Sequence, residues 1–180
     1  MAPIIMLWMV SVEATGKRGT RKGFTLLELI TVLGILGLIL VIAVPVVSRV
    51  RKDADYAEFV TICQTFAQAT EQFMLEKGAD LTDGDFVDSG SGKIPDGMDP
   101  YIREALWNNG HCKQLGGRWD FDDDWGFFGI GTDDPDVSDE ELLRIDEKWD
   151  DGNLDTGRLR QTRNGRFYYV IMDLAHLDLD

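Results

Sequence analysis

Hydrophobic and polar positions divide the chain into stretches of different character. The first is a continuous apolar run from Phe24 to Val47, in which Glu28 is the one charged residue. A helix of this length rises roughly 36 Å at ~1.5 Å per residue, enough to cross a hydrocarbon core about 30 Å thick. The pattern therefore predicts a membrane-spanning helix over residues 24–47.

After this run the pattern becomes one-sided. Apolar positions recur at steps of three and four residues between 48 and 77, with polar residues on the opposite face, which is typical of an amphipathic helix. Gly78 after Lys77 is a good helix end. We therefore expect one long helix from about residue 24 to 77, whose second half lays an apolar stripe on a core. The stripe consists of Phe59, Ile62, Cys63, Phe66, Ala69, Thr70 and Phe73.

Residues 78–180 show short mixed elements, beginning with a connection rich in Gly, Asp and Ser over 78–99. The Asn164-Gly165 pair before the β-prone run FYYVIM indicates a hairpin. The fold class is therefore α+β, with a small antiparallel sheet packed on the helix stripe. The predicted elements are a helix from Asp99-Pro100 to Trp107, a turn over 116–120, a strand over 125–130, a helix capped by Ser138 with Glu141, and hairpin strands over 157–162 and 166–172.

The charge is strongly segregated along the chain. The net charge is −14, and residues 49–180 alone hold 14 Lys and Arg against 30 Asp and Glu. An acidic body of this kind argues against nucleic-acid binding, because phosphate contacts need Lys and Arg. The simplest interpretation of the acidity is a well-solvated surface.

The segment before the apolar run is basic, with Lys17, Arg18, Arg21 and Lys22 directly preceding Gly23. A secretory signal peptide has the order basic, apolar, cleavage site, so this segment fits that class poorly. Glu28 is the other anomaly, because a carboxylate in a membrane helix costs ~2.5–3.5 kcal/mol on insertion scales. A residue in that position is a candidate functional site, and a Glu that reaches back to the membrane interface is the simpler alternative.

Gly23 followed by FTLLELITVLGILGLILVIAVPVV resembles the N-terminal segment of type IV pilins and type II secretion pseudopilins, and the likeness extends over about residues 17–77. The resemblance implies that residues 1–23 are a leader, which prepilin peptidase removes between Gly23 and Phe24, and that the new Phe24 amine is methylated. It implies that Glu28 pairs with that amine of an adjacent subunit during assembly. Gly37 and Pro45 fall on the family's helix-breaking positions.

The resemblance divides the chain into the leader 1–23, a transmembrane half-helix 24–47, an amphipathic half-helix 48–77 and a globular head 78–180. It implies a structural subunit of a type II secretion pseudopilus or a pilus-like filament, with prepilin peptidase and other pilin or pseudopilin subunits as partners. The expected location is the bacterial inner membrane, with a single span, a cytoplasmic N-terminus and a head that is periplasmic or extracellular in the filament.

Two other functions compete with the filament subunit. A minor or tip pilin would use the head as a binding or adhesion module. An enzyme on a membrane anchor is the weakest hypothesis, because neither His111 nor His176 lies beside a nucleophile motif and the paired acids lack a spacing that specifies a reaction. We expect no catalytic residues.

The head offers two further candidate features. Cys63 and Cys112 could form a disulfide if the head lies outside the cytoplasm, or remain two unpaired thiols. The sequence GIGTDDPD is loosely similar to the Gly-then-acid calcium loop of major pseudopilins, so the resemblance makes Asp133, Asp134 and Asp136 candidate Ca²⁺ ligands. Solvated acidic loops are the alternative, and no other cofactor is expected.

Overall fold

The computed structural model describes residues 23–78, 91–123 and 125–174 of the 180-residue chain. The basic cluster before Gly23, most of the Gly/Asp/Ser-rich connection and His176 lie outside the described residues. The chain divides into two compact units, Met1–Pro45 and Val46–Asp180, which are taken separately below.

Helix α1 spans Leu26–Lys77 and carries residues of both units. In the first unit its large apolar side chains lie exposed, as expected for a surface that faces lipid or other helices. By length and composition, this helix could cross a membrane. It is followed by Gly78 at φ +62°, whose amide donates to the Met74 carbonyl at 2.9 Å. The predicted end at Lys77 is confirmed.

The second unit contains a four-stranded antiparallel sheet. Its strands are β1 (Trp119–Asp122), β2 (Phe127–Thr132), β3 (Leu159–Gln161) and β4 (Phe167–Asp173), in the spatial order β1-β2-β4-β3. The hairpin between β3 and β4 is confirmed, and its turn places Gly165 at φ +84°, a conformation that glycine adopts without strain. The register of β2 on β4 shifts between Phe128 and Gly129.

The amphipathic half of α1 packs against this sheet, as the α+β prediction required. Trp119 of β1 is fully buried, stacked on Phe59 with ring centroids 5.7 Å apart and edge-on to Phe66 at 5.4 Å. Phe167 of β4 also stacks on Phe59, at 5.8 Å. The predicted stripe is confirmed except for Ala69, which is half-buried. The helix also buries Tyr56, Val60 and Ala67.

The opposite face of the sheet holds a polar network around Tyr168, whose side chain is fully buried. Its hydroxyl donates to Asp120 Oδ2 at 2.6 Å, and Arg166 Nη1 lies 2.9 Å from Asp122 Oδ2. These contacts supply hydrogen-bond partners for the Asp120 and Asp122 side chains of β1. Burial is the main influence that raises the pKa of Asp120, and the Tyr168 hydrogen bond opposes it.

Several predicted elements are displaced or were missed. The turn predicted over 116–120 ends early, because Trp119 already begins strand β1. The predicted strand at 125–130 begins two residues later, after Gly126 at φ +78°. The helix predicted from Asp99-Pro100 is wrong in extent: α2 is a single turn, Glu104–Trp107, followed by a 3-10 turn over Asn108–Gly110.

Helix α3 spans Asp139–Trp149 and confirms the Ser138 cap, since the Ser138 side chain accepts a hydrogen bond from the Glu141 amide. It buries Leu142 and Ile145 in the main core. Glu141 also forms an ion pair with Lys52 of α1, which joins the two helices at their exposed edge.

Candidate functional site

The candidate site is the entry into α1. Gly23, Phe24 and Thr25 precede the helix without regular structure, and a Cβ added to Gly23 would meet nothing within 4 Å. Phe24 is 82% exposed. Among the described residues, none packs over the Gly23–Phe24 peptide bond.

The first turn of α1 contains a reciprocal cap between Thr25 and Glu28. The Glu28 amide donates to Thr25 Oγ1 at 3.2 Å, while the Thr25 amide and hydroxyl each donate to Glu28 Oε2 at 3.0 Å. This is a capping box, which satisfies amide groups that have no partner within the helix. Thr25, the residue after the predicted new amine of Phe24, is thus a local partner of Glu28. This capping role of Glu28 was not predicted from the sequence. The signal was present as the Thr-x-x-Glu spacing ahead of an apolar run.

The apolar half of α1 has no cover from the rest of the chain that the structure describes. Each large apolar side chain from Phe24 to Val50 is at least 49% exposed. Contiguous apolar surface on this scale marks an interface with lipid or with protein. The arrangement can serve membrane insertion and helix packing.

Helix α1 continues through both expected break positions. It is unbroken from Leu26 to Lys77, including Gly37 and Pro45. Pro45 lacks the amide that would bond back to Val41 and is the last residue of the first unit. Unwinding of the helix at these two residues in a filament stays a prediction.

Cys63 of α1 and Cys112 lie in the same buried cluster as free thiols. Burial raises the pKa of Cys63 well above its ordinary range, with a further contribution from Cys112, and burial raises the pKa of Cys112 to about 11. A disulfide between them stays a prediction.

The predicted calcium residues follow β2 in a turn. Asp133 Oδ1 accepts the Arg118 amide at 2.8 Å, and the backbone of Asp136 packs against Gly116. Within the described parts of the chain, these carboxylates do not form a compact three-ligand group. A compact group of three carboxylates is formed instead by Asp146, Asp150 and Asp151. One oxygen of each lies within 4.8 Å of the others.

Comparison with family models gives a match over residues 18–44, to the prokaryotic N-terminal methylation motif. Searches of curated proteins and of solved structures each return no match for this chain. The matched segment contains Gly23, Phe24 and Glu28, together with most of the apolar half of α1.

This motif is the hallmark of type IV pilins and pseudopilins, and over residues 18–44 it supports a type IV pilin-like protein. The α+β arrangement of a long N-terminal helix on a small antiparallel sheet agrees with that class. The motif implies processing by prepilin peptidase and assembly with other pilin subunits in general terms, and it points to a structural subunit. The long apolar helix is compatible with membrane anchoring.

Proposed function

We propose that this protein is a filament subunit of the type II secretion pseudopilus class. Prepilin peptidase cuts between Gly23 and Phe24 and the Phe24 amine is methylated. The subunit is stored in the bacterial inner membrane by the apolar half of α1, with a cytoplasmic N-terminus and a periplasmic head. It then assembles through that helix into a filament. The observation that carries the proposal is the exposed apolar half of α1, in which Glu28 is the one charged residue, directly after the proposed processing junction.

Storage and assembly use the same surface. In the membrane, lipid covers the apolar side chains, and in a filament the same side chains would pack against neighbouring helices. Because hydrocarbon tails are about as apolar as leucine, exchanging lipid for helix contacts costs little, and the association is driven by close packing and by polar contacts. A single buried ion pair would then have a large influence on how the helices align.

The ion pair that we propose joins Glu28 to the Phe24 amine of a neighbouring subunit. Both hydrogen bonds from Thr25 go to Glu28 Oε2, so Oε1 can still accept from the incoming amine. The positive end of the helix dipole lies at the N-terminus, so it disfavours a cationic amine there. A nearby carboxylate offsets the positive charge of the amine and that of the dipole. The capping box holds this carboxylate at the position where the cation would arrive.

A pseudopilus subunit is favoured over a pilus subunit by the head. It is compact and acidic, and both cysteines precede β1, whereas many major pilins close a loop near the C-terminus with cysteines. A tip subunit with a binding head is the alternative class. The test is to express this chain as the only pilin, together with a prepilin peptidase and an assembly machinery. A major subunit should form filaments under these conditions, whereas a tip subunit should not.

The proposal is tested by co-expressing the full chain with a prepilin peptidase and measuring the mass of the mature protein. The expected product begins at N-methylated Phe24. Gly23→Val should remain uncut, whereas Gly34→Val is a matched control that should be cut normally. A Cβ at either glycine would meet nothing within 4 Å, so neither variant creates a clash within the described chain. An uncut wild-type chain, or a cut at another bond, would refute the proposal.

A further inference from the structure

A second candidate site lies in the head, at the end of α3. Asp146 is a residue of the buried core, with 0% of its surface exposed. The backbone amides of Gly152 and Asn153 approach its carboxylate, but neither oxygen accepts a hydrogen bond of normal geometry. Buried carboxylates are nearly always paired or hydrogen-bonded, because losing hydration without compensation is expensive. A charged group in this position calls for a partner.

Two more carboxylates converge on Asp146. One oxygen each of Asp146, Asp150 and Asp151 lies within 4.8 Å of the others, and exposure increases in that order from buried to exposed. Three like charges at this separation repel one another. The three carboxylates therefore extend from the protein interior to the solvent, so an ion could reach Asp146 from the surface.

Two basic side chains form their direct contacts with other partners, although the Arg158 charge also interacts with Asp150. The Lys148 ammonium lies 3.8 Å from Asp53, and Arg158 Nη1 donates to the Tyr169 hydroxyl at 2.8 Å. Among the described residues, no Lys or Arg is ion-paired with Asp146, Asp150 or Asp151. Within the described parts of the chain, the negative charge of Asp146 therefore has no ion-pair partner.

The loop after α3 is folded around the carboxylates. Asp150 Oδ2 accepts the Leu159 amide at 2.7 Å, and Asp151 accepts the Asn153 amide at 2.9 Å and the Thr156 hydroxyl at 2.8 Å. These bonds fix Asp150 and Asp151, whereas the two oxygens of Asp146 remain available to an ion.

The backbone of the loop approaches the carboxylates of Asp150 and Asp151 closely at Gly157. This glycine adopts φ +74°, and a Cβ there would lie 2.1 Å from Asp150 Oδ2 and 2.9 Å from Asp151 Oδ2. Only glycine fits without moving the carboxylates. The backbone therefore holds the acidic groups in place before any ion arrives.

We propose that Asp146, Asp150 and Asp151 bind a divalent cation, and that the cation is Ca²⁺. All three ligands are carboxylate oxygens, which suit hard cations, whereas Zn²⁺ sites favour nitrogen and sulfur. Ca²⁺–oxygen distances are about 2.3–2.6 Å, so oxygens up to 4.8 Å apart can share one ion. Irregular loop geometry also suits Ca²⁺ better than Mg²⁺, which demands a near-ideal octahedron.

This site is separate from the turn of Asp133, Asp134 and Asp136, and it does not depend on filament formation. The ion would join the last turn of α3 to the loop that leads into β3. Its binding free energy would therefore stabilise the folded head, because the unfolded chain does not hold the three carboxylates together.

The test uses the full chain in detergent micelles, treated with chelator and then titrated with CaCl₂. Calorimetry should detect binding, and the melting midpoint should rise by several °C in millimolar Ca²⁺ and by less in equal Mg²⁺. Tb³⁺ should give emission sensitised by tryptophan, because Trp149 is adjacent to Asp150 in the chain. A wild-type protein with no Ca²⁺-dependent shift would overturn the site.

Asp146→Asn is the decisive variant and Asp134→Asn its control. Asp146→Asn should weaken Ca²⁺ binding at least tenfold and abolish the shift in melting midpoint. Without metal this variant should melt at or above the metal-free wild type, because a buried unpartnered charge has been removed. That result separates lost binding from lost folding. Asp134→Asn should respond as wild type does. If Asp146→Asn keeps the full response, or Asp134→Asn abolishes it, the ion binds elsewhere and the proposal is wrong.

Discussion

At the first turn of α1, one carboxylate serves two purposes that can be separated. Glu28 closes a capping box with Thr25, and in the proposed assembly it also meets the amine of a neighbour. The first purpose needs only a hydrogen-bond acceptor, whereas the second needs a negative charge. In a membrane the charge is costly, by ~2.5–3.5 kcal/mol on insertion scales, so a purely local cap would be better served by a neutral side chain.

Glu28→Gln and Thr25→Ala therefore have different expected effects. Glutamine retains an acceptor for the Thr25 amide but carries no charge, so the helix start should persist and filament assembly should fall at least tenfold. Thr25→Ala removes the hydroxyl and keeps the charge, so assembly should fall less. Processing should survive in both variants. The measurements are sheared-filament yield and the mature mass. Normal filaments from Glu28→Gln would remove the charge pair from the mechanism.

At the scale of elements, α1 is held to the sheet by aromatic contacts in one stretch. Phe59 lies between Trp119 of β1 and Phe167 of β4, and Phe66 meets the edge of the same tryptophan. Aromatic pairs of this kind contribute about 0.5–1.5 kcal/mol beyond the area that they bury. The helix is thereby fixed against two strands that are not neighbours in the sheet.

Phe59→Ala should destabilise the head by about 3–5 kcal/mol, because it leaves a cavity between the helix and two strands. Glu58→Ala, at the preceding exposed position, is the matched control and should change the unfolding free energy by less than about 0.5 kcal/mol. Urea unfolding of the full chain in micelles, followed by tryptophan fluorescence, measures both. Equal destabilisation by the two substitutions would contradict this packing.

The sequence predicted elements well where the pattern was long and periodic. Helix α1 repeats its apolar stripe over several turns, and the hairpin before β4 combines a strong turn signal with β-prone residues. Strand β1 was missed because Asp120 and Asp122 are poor strand formers. Their carboxylates are held by Arg166 and Tyr168, which lie far away in the sequence, and by the Trp125 indole.

The two candidate sites also differ in how far the sequence predicted them. Gly23, Phe24 and Glu28 lie in one short segment and could be recognised from their spacing. Asp146 and Asp150 are four residues apart, a spacing that places two side chains on one side of a helix and that the sequence does contain. Nothing in the sequence indicated that Asp146 would be buried, because its burial depends on the loop of Asp151 folding back.

At the scale of the whole molecule, charge and apolar surface are kept apart along the chain. Residues 24–48 hold one charged residue, whereas 49–180 hold 30 acidic side chains against 14 basic ones. Subunits that assemble through their apolar helices must therefore bring strongly acidic heads near one another. The repulsion is long-ranged at low salt, and the Debye length falls to about 8 Å at 0.15 M.

Assembly of the processed chain should therefore increase with ionic strength. Between about 20 and 300 mM NaCl, we expect the sedimentable fraction to rise several-fold, because screening weakens repulsion between heads while apolar packing is retained. Chelator is kept in all samples so that divalent ions do not contribute. Glu28→Gln is the control that should sediment little at any salt. A fraction that falls as NaCl increases would indicate that attraction between charged groups dominates instead.

The strand order β1-β2-β4-β3 also bears on when the head can fold during synthesis. Strand β4 lies between β2 and β3 and supplies Phe167 and Tyr169 to the main core, yet it is the last of the four strands to leave the ribosome. Until it arrives, β2 has one open edge, β3 has no partner in the sheet, and the aromatic stripe of α1 lacks part of its cover. Nascent chains that stop before β4 thus expose both a bare strand edge and apolar surface, which makes them targets for chaperones and proteases.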